Sequence, residues 1–395
     1  MYSTLSGLYR IEVVGLDALQ LVLVGTALEA TVFVFEIPTG IVADVYSRRL
    51  SVIIGFALVG AGFALEGLVP SFAAVLAAQV IWGIGYTFTS GALQAWVVDE
   101  IGHADGALFL RRAQLGNAAS LLGIAVAVAL GSASIAAPLV AAGIGMLALA
   151  CAAAVAMTEA GFEPLPRDQR GSFRAMGRTI AEASRAVAGR PGLGLVLAVA
   201  ALGGLASEPI DRLADLHFLD TLALPVQSAT RAGLGAPVWF GLMQAAILAV
   251  SIGATGWIRA RWRIDDGPTA LWALRWINLT LIGCVVGFAL AGSWQLAIPL
   301  YVAVQVLRRA AAPIASTWIN QRIPSSVRAT ILSTSSQCDA LGQLIGGPAL
   351  GAFAREYGLR LAFLATAVLL APIQPLYARV KAATREESAG ASASG

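Results

Sequence analysis

Apolar residues along this chain fall in long runs separated by short polar breaks, at roughly residues 20–43, 51–68, 72–98, 110–130, 136–157, 192–220, 237–258, 268–290, 294–318, 329–353 and 361–378. A helix that crosses a bilayer needs about 20 predominantly apolar residues, so the pattern predicts eleven spans. One long stretch, 158–191, breaks the pattern with charge, proline and glycine (TEAGFEPLPRDQR through RAVAGRP). It divides the chain into a front membrane block, 1–157, and a rear block, 192–378, followed by a tail, 379–395, whose Ala, Ser and Gly content predicts disorder. Within the linker, residues 172–188 carry Arg174, Arg178 and Arg185 at broadly helical spacing. That segment is either an amphipathic helix on the membrane surface or a solvated connection.

Composition agrees with the pattern. The chain is 58% hydrophobic and 12% charged, with a mean hydropathy of +0.77, against about 25% charged residues in soluble domains. The fold class is therefore all-α and polytopic. Net charge is only +3, but its placement is informative, because basic residues in short loops stay on the cytoplasmic side. Arg48 and Arg49, Arg111 and Arg112, the arginines of 167–190, Arg259, Arg261 and Arg263, Arg322 and Arg328, then Arg379, Lys381 and Arg385 fall at alternate connections. The connections at 69–71, 131–135 and 291–293 have no basic residue, and that at 221–236 has only Arg231. Linker and C-terminus are thus expected in the cytoplasm of a bacterial cell, with the plasma membrane as the site. Residues 1–9 do not form a cleavable leader, so the first span is expected to act as the signal.

Enzyme chemistry finds no foothold. There is no Walker loop, H-E-x-x-H or nucleophile elbow, and His103 and His217 are too isolated to make a metal cage. Cys151, Cys284 and Cys338 lie in predicted spans without paired spacing and read as packing residues. No cofactor and no metal are expected, and the driving force is an ion gradient or the substrate's own.

Ionisable side chains inside membrane helices are candidates for function because burying charge there is expensive. Glu29 and Glu36 are seven apart and share a helix face; each is either a proton site or a packed carboxyl. Glu208, Asp211 and Asp215 form one stripe with Arg212 beside it, toward the outer leaflet, either an external gate or a salt-bridged helix end. Arg308 and Arg309 interrupt the run 298–318 at middle depth. Arg308, sharing a stripe with Gln305 and Val304, is expected to line a cavity and to hold an anionic group, pair with Glu29, or pair within the rear block. Asp339 adds polarity with Gln337 and Gln343. Glycines spaced G-x-x-x-G at Gly342 and Gly346, and at Gly347 and Gly351, predict close helix approach.

The most diagnostic phrase is FEIPTGIVADVYSRR at residues 35–49. It puts Pro38-Thr39-Gly40 where a helix would loosen, Asp44 at the apolar boundary and paired arginines beyond. Asp44 and Arg48 are four apart, a spacing that permits a charge pair if the turn is helical, and Asp99 and Glu100 lie where they can take a charge from Arg48 or Arg49. Two six-helix halves joined by a cytoplasmic linker, with Gly40, Asp44, Arg48 and Arg49 in this hairpin, resemble the major facilitator superfamily and its G-x-x-x-D-R-x-G-R-R signature. The segments at 82–100, 207–217 and 318–351 resemble its bacterial drug and macrolide efflux branch, the drug:proton antiporters.

The sequence departs from that signature at Val45 and Ser47, and an arginine expected before the fourth-helix Gly83-x-Gly85 is Gln79. Residues 1–9 hold only the tail of a first helix, which reads either as a truncated twelve-helix protein or as an eleven-helix one; 10–17 would be the rest of an external hairpin. The resemblance implies two pseudo-symmetric halves and alternating access, with Asp44 docking at the helix start near Ser325 and Ser326. It implies proton-coupled efflux of small amphipathic or cationic compounds, with uptake of a small organic nutrient, or a non-transporting relic, as alternatives. Gly40, Asp44, Arg48, Arg49 and Asp99 would hold the cytoplasmic gate. The expected partners are a small-molecule substrate, protons and the lipid bilayer, with no nucleic acid, and the chain is expected to act as a monomer.

Overall fold

A computed structural model describes residues 1–101, 106–162, 191–225, 235–261, 267–322 and 325–380. The surface helix placed at 172–188, His103, Arg231, Arg263 and the tail beyond 380 lie outside the described residues. The chain divides into two compact units, Met1–Ser172 with Pro225–Ala245, and Phe173–Leu224 with Ala246–Gly395.

The first unit contains α1 (Tyr2–Glu12), α2 (Ala18–Val45), α3 (Arg48–Leu68), α4 (Phe72–Thr89), α5 (Ala92–Ile101), α6 (Gly106–Ala133) and α7 (Ala137–Ala156). Local chemistry sets several of the starts. Asp17 and Gln20 form a reciprocal capping box at α2, while Ser47 and Ser71 accept from the third amide of α3 and α4, satisfying donors that a helix start leaves open. α3 packs on both α4 and α7, and α2 packs on α4.

Two expectations change here, and one boundary moves. Pro38-Thr39-Gly40 lies inside the helix, as the run 20–43 implied: α2 continues to Val45, and the Thr39 hydroxyl donates back to the Phe35 carbonyl at 2.8 Å. The hairpin shrinks to Tyr46 and Ser47. The span at 72–98 is two helices, because Ser90 is extended and Gly91 takes φ +76°, a conformation glycine adopts without penalty. Arg10, placed in an external hairpin, belongs to α1 and is buried.

The second unit contains α8 (Pro191–Arg212), a short helical turn (Ala214–Leu216) and a π-helical turn (His217–Thr221), then the rear part of α9 (Ala236–Arg261), α10 (Gly267–Leu290), α11 (Trp294–Arg322), α12 (Ser325–Tyr357) and α13 (Leu359–Leu370), with helix resuming at 373–380. α8 packs on α12, and α10 on α11 and α13. The α8 and α12 backbones meet at Gly342 and Gly346. A Cβ at Gly342 would collide with the backbone of Ala201 and Leu205, and one at Gly346 with that of Leu205, so the G-x-x-x-G spacing is an obligatory close approach. His217 is buried among Phe288 and Phe363. Cys151, expected in the packed interior, is exposed on α7.

Among the described residues, nine helices are long and apolar enough to cross a membrane, with α4 and α5 counted together. The other two predicted spans correspond to α11 and α12, which are 29 and 33 residues long. Length is not what separates them. They carry Arg308, Arg309 and Asp339 in otherwise apolar sequence, and that polarity leads to the site.

Candidate functional site

The second unit encloses a cavity of about 310 Å³, lined from α8 by Ser207 and Asp211, from α10 by Asn278, from α11 by Arg308, and from α12 by Asp339 and Gln343, among apolar neighbours. Its size lies at the lower end of small-molecule pockets, roughly 300–1,000 Å³. Arg308 engages Asp211 with both ends of its guanidinium, Nη1 to Oδ1 at 2.5 Å and Nη2 to Oδ2 at 2.7 Å. This planar fork is the strongest common form of a charged hydrogen bond. Asp339 accepts from Gln343, one turn further along α12, at 2.8 Å.

Several sequence expectations separate at this point. Arg308 does line the cavity, and its terminal nitrogens are on Asp211; of the three alternatives considered for it, the pair within the rear block is the one formed. Arg309 is exposed. Val304 is buried and Gln305 donates to the Tyr301 hydroxyl at 2.9 Å; neither lines the cavity. The α8 stripe divides, with Asp211 on the cavity while Glu208 is buried and has the Arg212 Nε 3.6 Å away. Trp82 packs on Tyr2 and Phe63, and Trp272 and Trp276 are exposed neighbours on α10. None of the three lines the cavity.

At the α2–α3 end of the first unit, Arg48 forms a close ion pair with Asp99 of α5 and lies 3.5 Å from Asp44. The i, i+4 spacing and the acidic end of the fourth span anticipated both contacts. Arg49 takes a different partner: its Nε donates to the Met157 carbonyl at 2.8 Å and its Nη2 to the Ala154 carbonyl. Gly40 has open space around its α-carbon, so close packing does not explain it. Glu29 is half-buried on α2 and Glu36 is exposed. The side chains of Ser325 and Ser326 lie outside the described residues.

Sequence reasoning passed over Glu66. It is fully buried near the end of α3, where its Oε1 takes the Arg10 Nε at 2.8 Å and its Oε2 takes the Tyr2 hydroxyl at 2.6 Å and the Gln79 amide at 2.8 Å. A carboxylate within an apolar run was the available signal.

No protein-family model matches the chain. It is 24% identical over 360 residues, 90% of this chain and 86% of the relative, to YxaM of Bacillus subtilis (strain 168), described as an uncharacterised MFS-type transporter. Among solved structures it resembles the nucleoside transporter NupG with a TM-score of 0.73 at 13% identity, covering 96% of this chain and 94% of that one. It resembles a POT family transporter in complex with a thioalcohol-conjugated peptide equally well, with a TM-score of 0.73 at 13% identity over 98% and 93% of the two chains. These similar proteins are transporters, not enzymes, and the fold this chain shares with them is the major facilitator fold.

Proposed function

We propose that the protein is a secondary active transporter that exports small amphipathic or cationic compounds in exchange for protons, working as a monomer in the bacterial plasma membrane with linker and tail in the cytoplasm. The observation that carries this reading is the charge of the cavity. Arg308 is committed to Asp211, and Asp339 remains as a second carboxylate in a largely apolar wall. A site with two carboxylates and one guanidinium suits a cation with an apolar body. When the cation leaves, a proton can take its place on a carboxylate.

Glu29 is the corresponding proton carrier of the first unit in this reading, and Asp44, Arg48 and Asp99 hold the cytoplasmic gate. The test is retention of a fluorescent cationic dye by cells carrying wild-type protein, Glu29→Gln, Asp339→Asn or an empty vector. Lower retention with wild type alone supports proton-driven export. Equal retention in all four defeats it.

A second reading, uptake of a small organic nutrient, is favoured by the solved structures of similar fold, which are a nucleoside transporter and peptide-bound POT transporters. Proteoliposomes with an imposed pH gradient separate the two, because export and uptake load the vesicles with opposite gradient polarity.

A further inference from the structure

Residues 157–162, the first beyond α7, are bound to the α2–α3 hairpin and to the end of α5 through both backbone and side chains. Arg49 covers the Ala154 and Met157 carbonyls, which the end of α7 leaves without helical donors. In the opposite direction Glu159 accepts from the Arg49 amide at 3.0 Å and from the Ser47 hydroxyl at 2.7 Å, placing a carboxylate at the positive end of α3. Each helix thus has its open end closed by a residue more than a hundred positions away.

The other side of the strap is held by α5. Glu100 accepts from the Thr158 hydroxyl at 2.6 Å and the Gly161 amide at 3.2 Å, and the Trp96 indole donates to the Thr158 carbonyl at 2.6 Å. Gly161 lies against the Asp99 carbonyl so closely that a Cβ would overlap it. The Phe162 ring centroid is 5.6 Å from the Arg48 guanidinium, within cation–π reach. Met157 packs on the buried cluster of Ala43, Val52 and Ala92, which joins α2, α3 and α5.

We propose that Glu159 and Glu100 are positioning residues of the cytoplasmic gate: they clasp strap 157–162 between the start of α3 and the end of α5, and the clasp holds Arg48 on Asp99. The gate's part in transport rests on the reading above, whereas the clasp itself does not. An isolated exposed ion pair contributes little. Here the carboxylates bind backbone amides and hydroxyls at helix ends, and several such bonds act on one short segment.

The experiment places a cysteine at Ala92, a buried position beside Met157, in full-length protein whose Cys151, Cys284 and Cys338 are replaced by alanine, and measures its maleimide labelling in detergent. Glu159→Gln and Glu100→Gln are expected to speed labelling about tenfold, the scale of one lost charge-assisted bond, with an unchanged melting temperature, and Glu159→Asp to restore the slow rate. Gly161→Val, which forces the strap away without touching a charge, is expected to behave like Glu159→Gln. Equal rates in all proteins would overturn the proposal, and so would faster labelling matched by a drop in melting temperature. If wild-type protein transports nothing, the transport reading falls while labelling still decides the clasp.

Discussion

Arg10 and Glu66 form an ion pair inside the first unit, Nε to Oε1 at 2.8 Å, with side-chain exposures of 5% and 0%. The Tyr9 hydroxyl donates to the Glu66 carbonyl at 2.7 Å, and Tyr2 stacks on Phe63 with centroids 3.8 Å apart. Through these contacts α1, only 11 residues long, is anchored to α3 and α4. Gln79 fits the same network, since the position beside Glu66 needs only a neutral donor once Arg10 supplies the charge.

Removing one member of such a pair strands the other in an apolar interior, which costs about 3–5 kcal/mol, whereas replacing both with apolar residues is often neutral. Arg10→Ala and Glu66→Ala are each expected to lose stability on that scale, and Arg10→Met with Glu66→Leu to lose much less. Thermal unfolding of purified protein in detergent checks this. A double variant no better than the singles would show that the pair is not the anchor.

For the cavity, the fork between Arg308 and Asp211 predicts strong coupling. Arg308→Ala is expected to reduce substrate binding or transport sharply, and Arg308→Ala with Asp211→Ala to recover part of the loss, because the second change removes the unpaired carboxylate. A double-mutant cycle should return a coupling of about 1–3 kcal/mol; additive losses would mean the fork plays no part.

Asp339 is expected to select for charge. Asp339→Asn should weaken a cationic dye about tenfold, roughly 1.4 kcal/mol, and leave a neutral analogue of the same size unaffected. Fluorescence titration of both ligands measures the difference, and equal losses for the two would remove Asp339 from charge recognition.

Two glycines are expected to respond in opposite ways. Gly40→Ala meets nothing within 4 Å and should stabilise α2 by up to about 1 kcal/mol through helix propensity. Gly346→Leu has the Leu205 backbone in its way and should prevent α8 and α12 from packing, a cost of at least about 1–3 kcal/mol. Yield and melting temperature by fluorescence-detected gel filtration compare them.

Much of the architecture was legible along the chain. Hydropathy located the spans because lipid demands uninterrupted apolar helix, and the i, i+4 rule brought Arg48 to Asp44. Helix breaks were less legible: the run 72–98 looked continuous, yet the chain breaks at Gly91, where the backbone takes a positive φ, while Pro38 sits inside a helix that continues to Val45. Glu159 and Arg49 were both in view as charges, but their exchange of helix caps joins positions 110 residues apart, and no local periodicity encodes that.

The linear order of residues determined that this is a membrane-spanning helical protein with a charged hairpin at Asp44 and Arg48, because apolar run length and nearest-neighbour spacing are local quantities. Tertiary structure decided which of the charges distant in sequence meet. Arg10 reaches Glu66 across 56 positions and Arg308 reaches Asp211 across 97. In an apolar interior a charge must find whichever partner packing brings near, and helix packing, not sequence distance, chooses it.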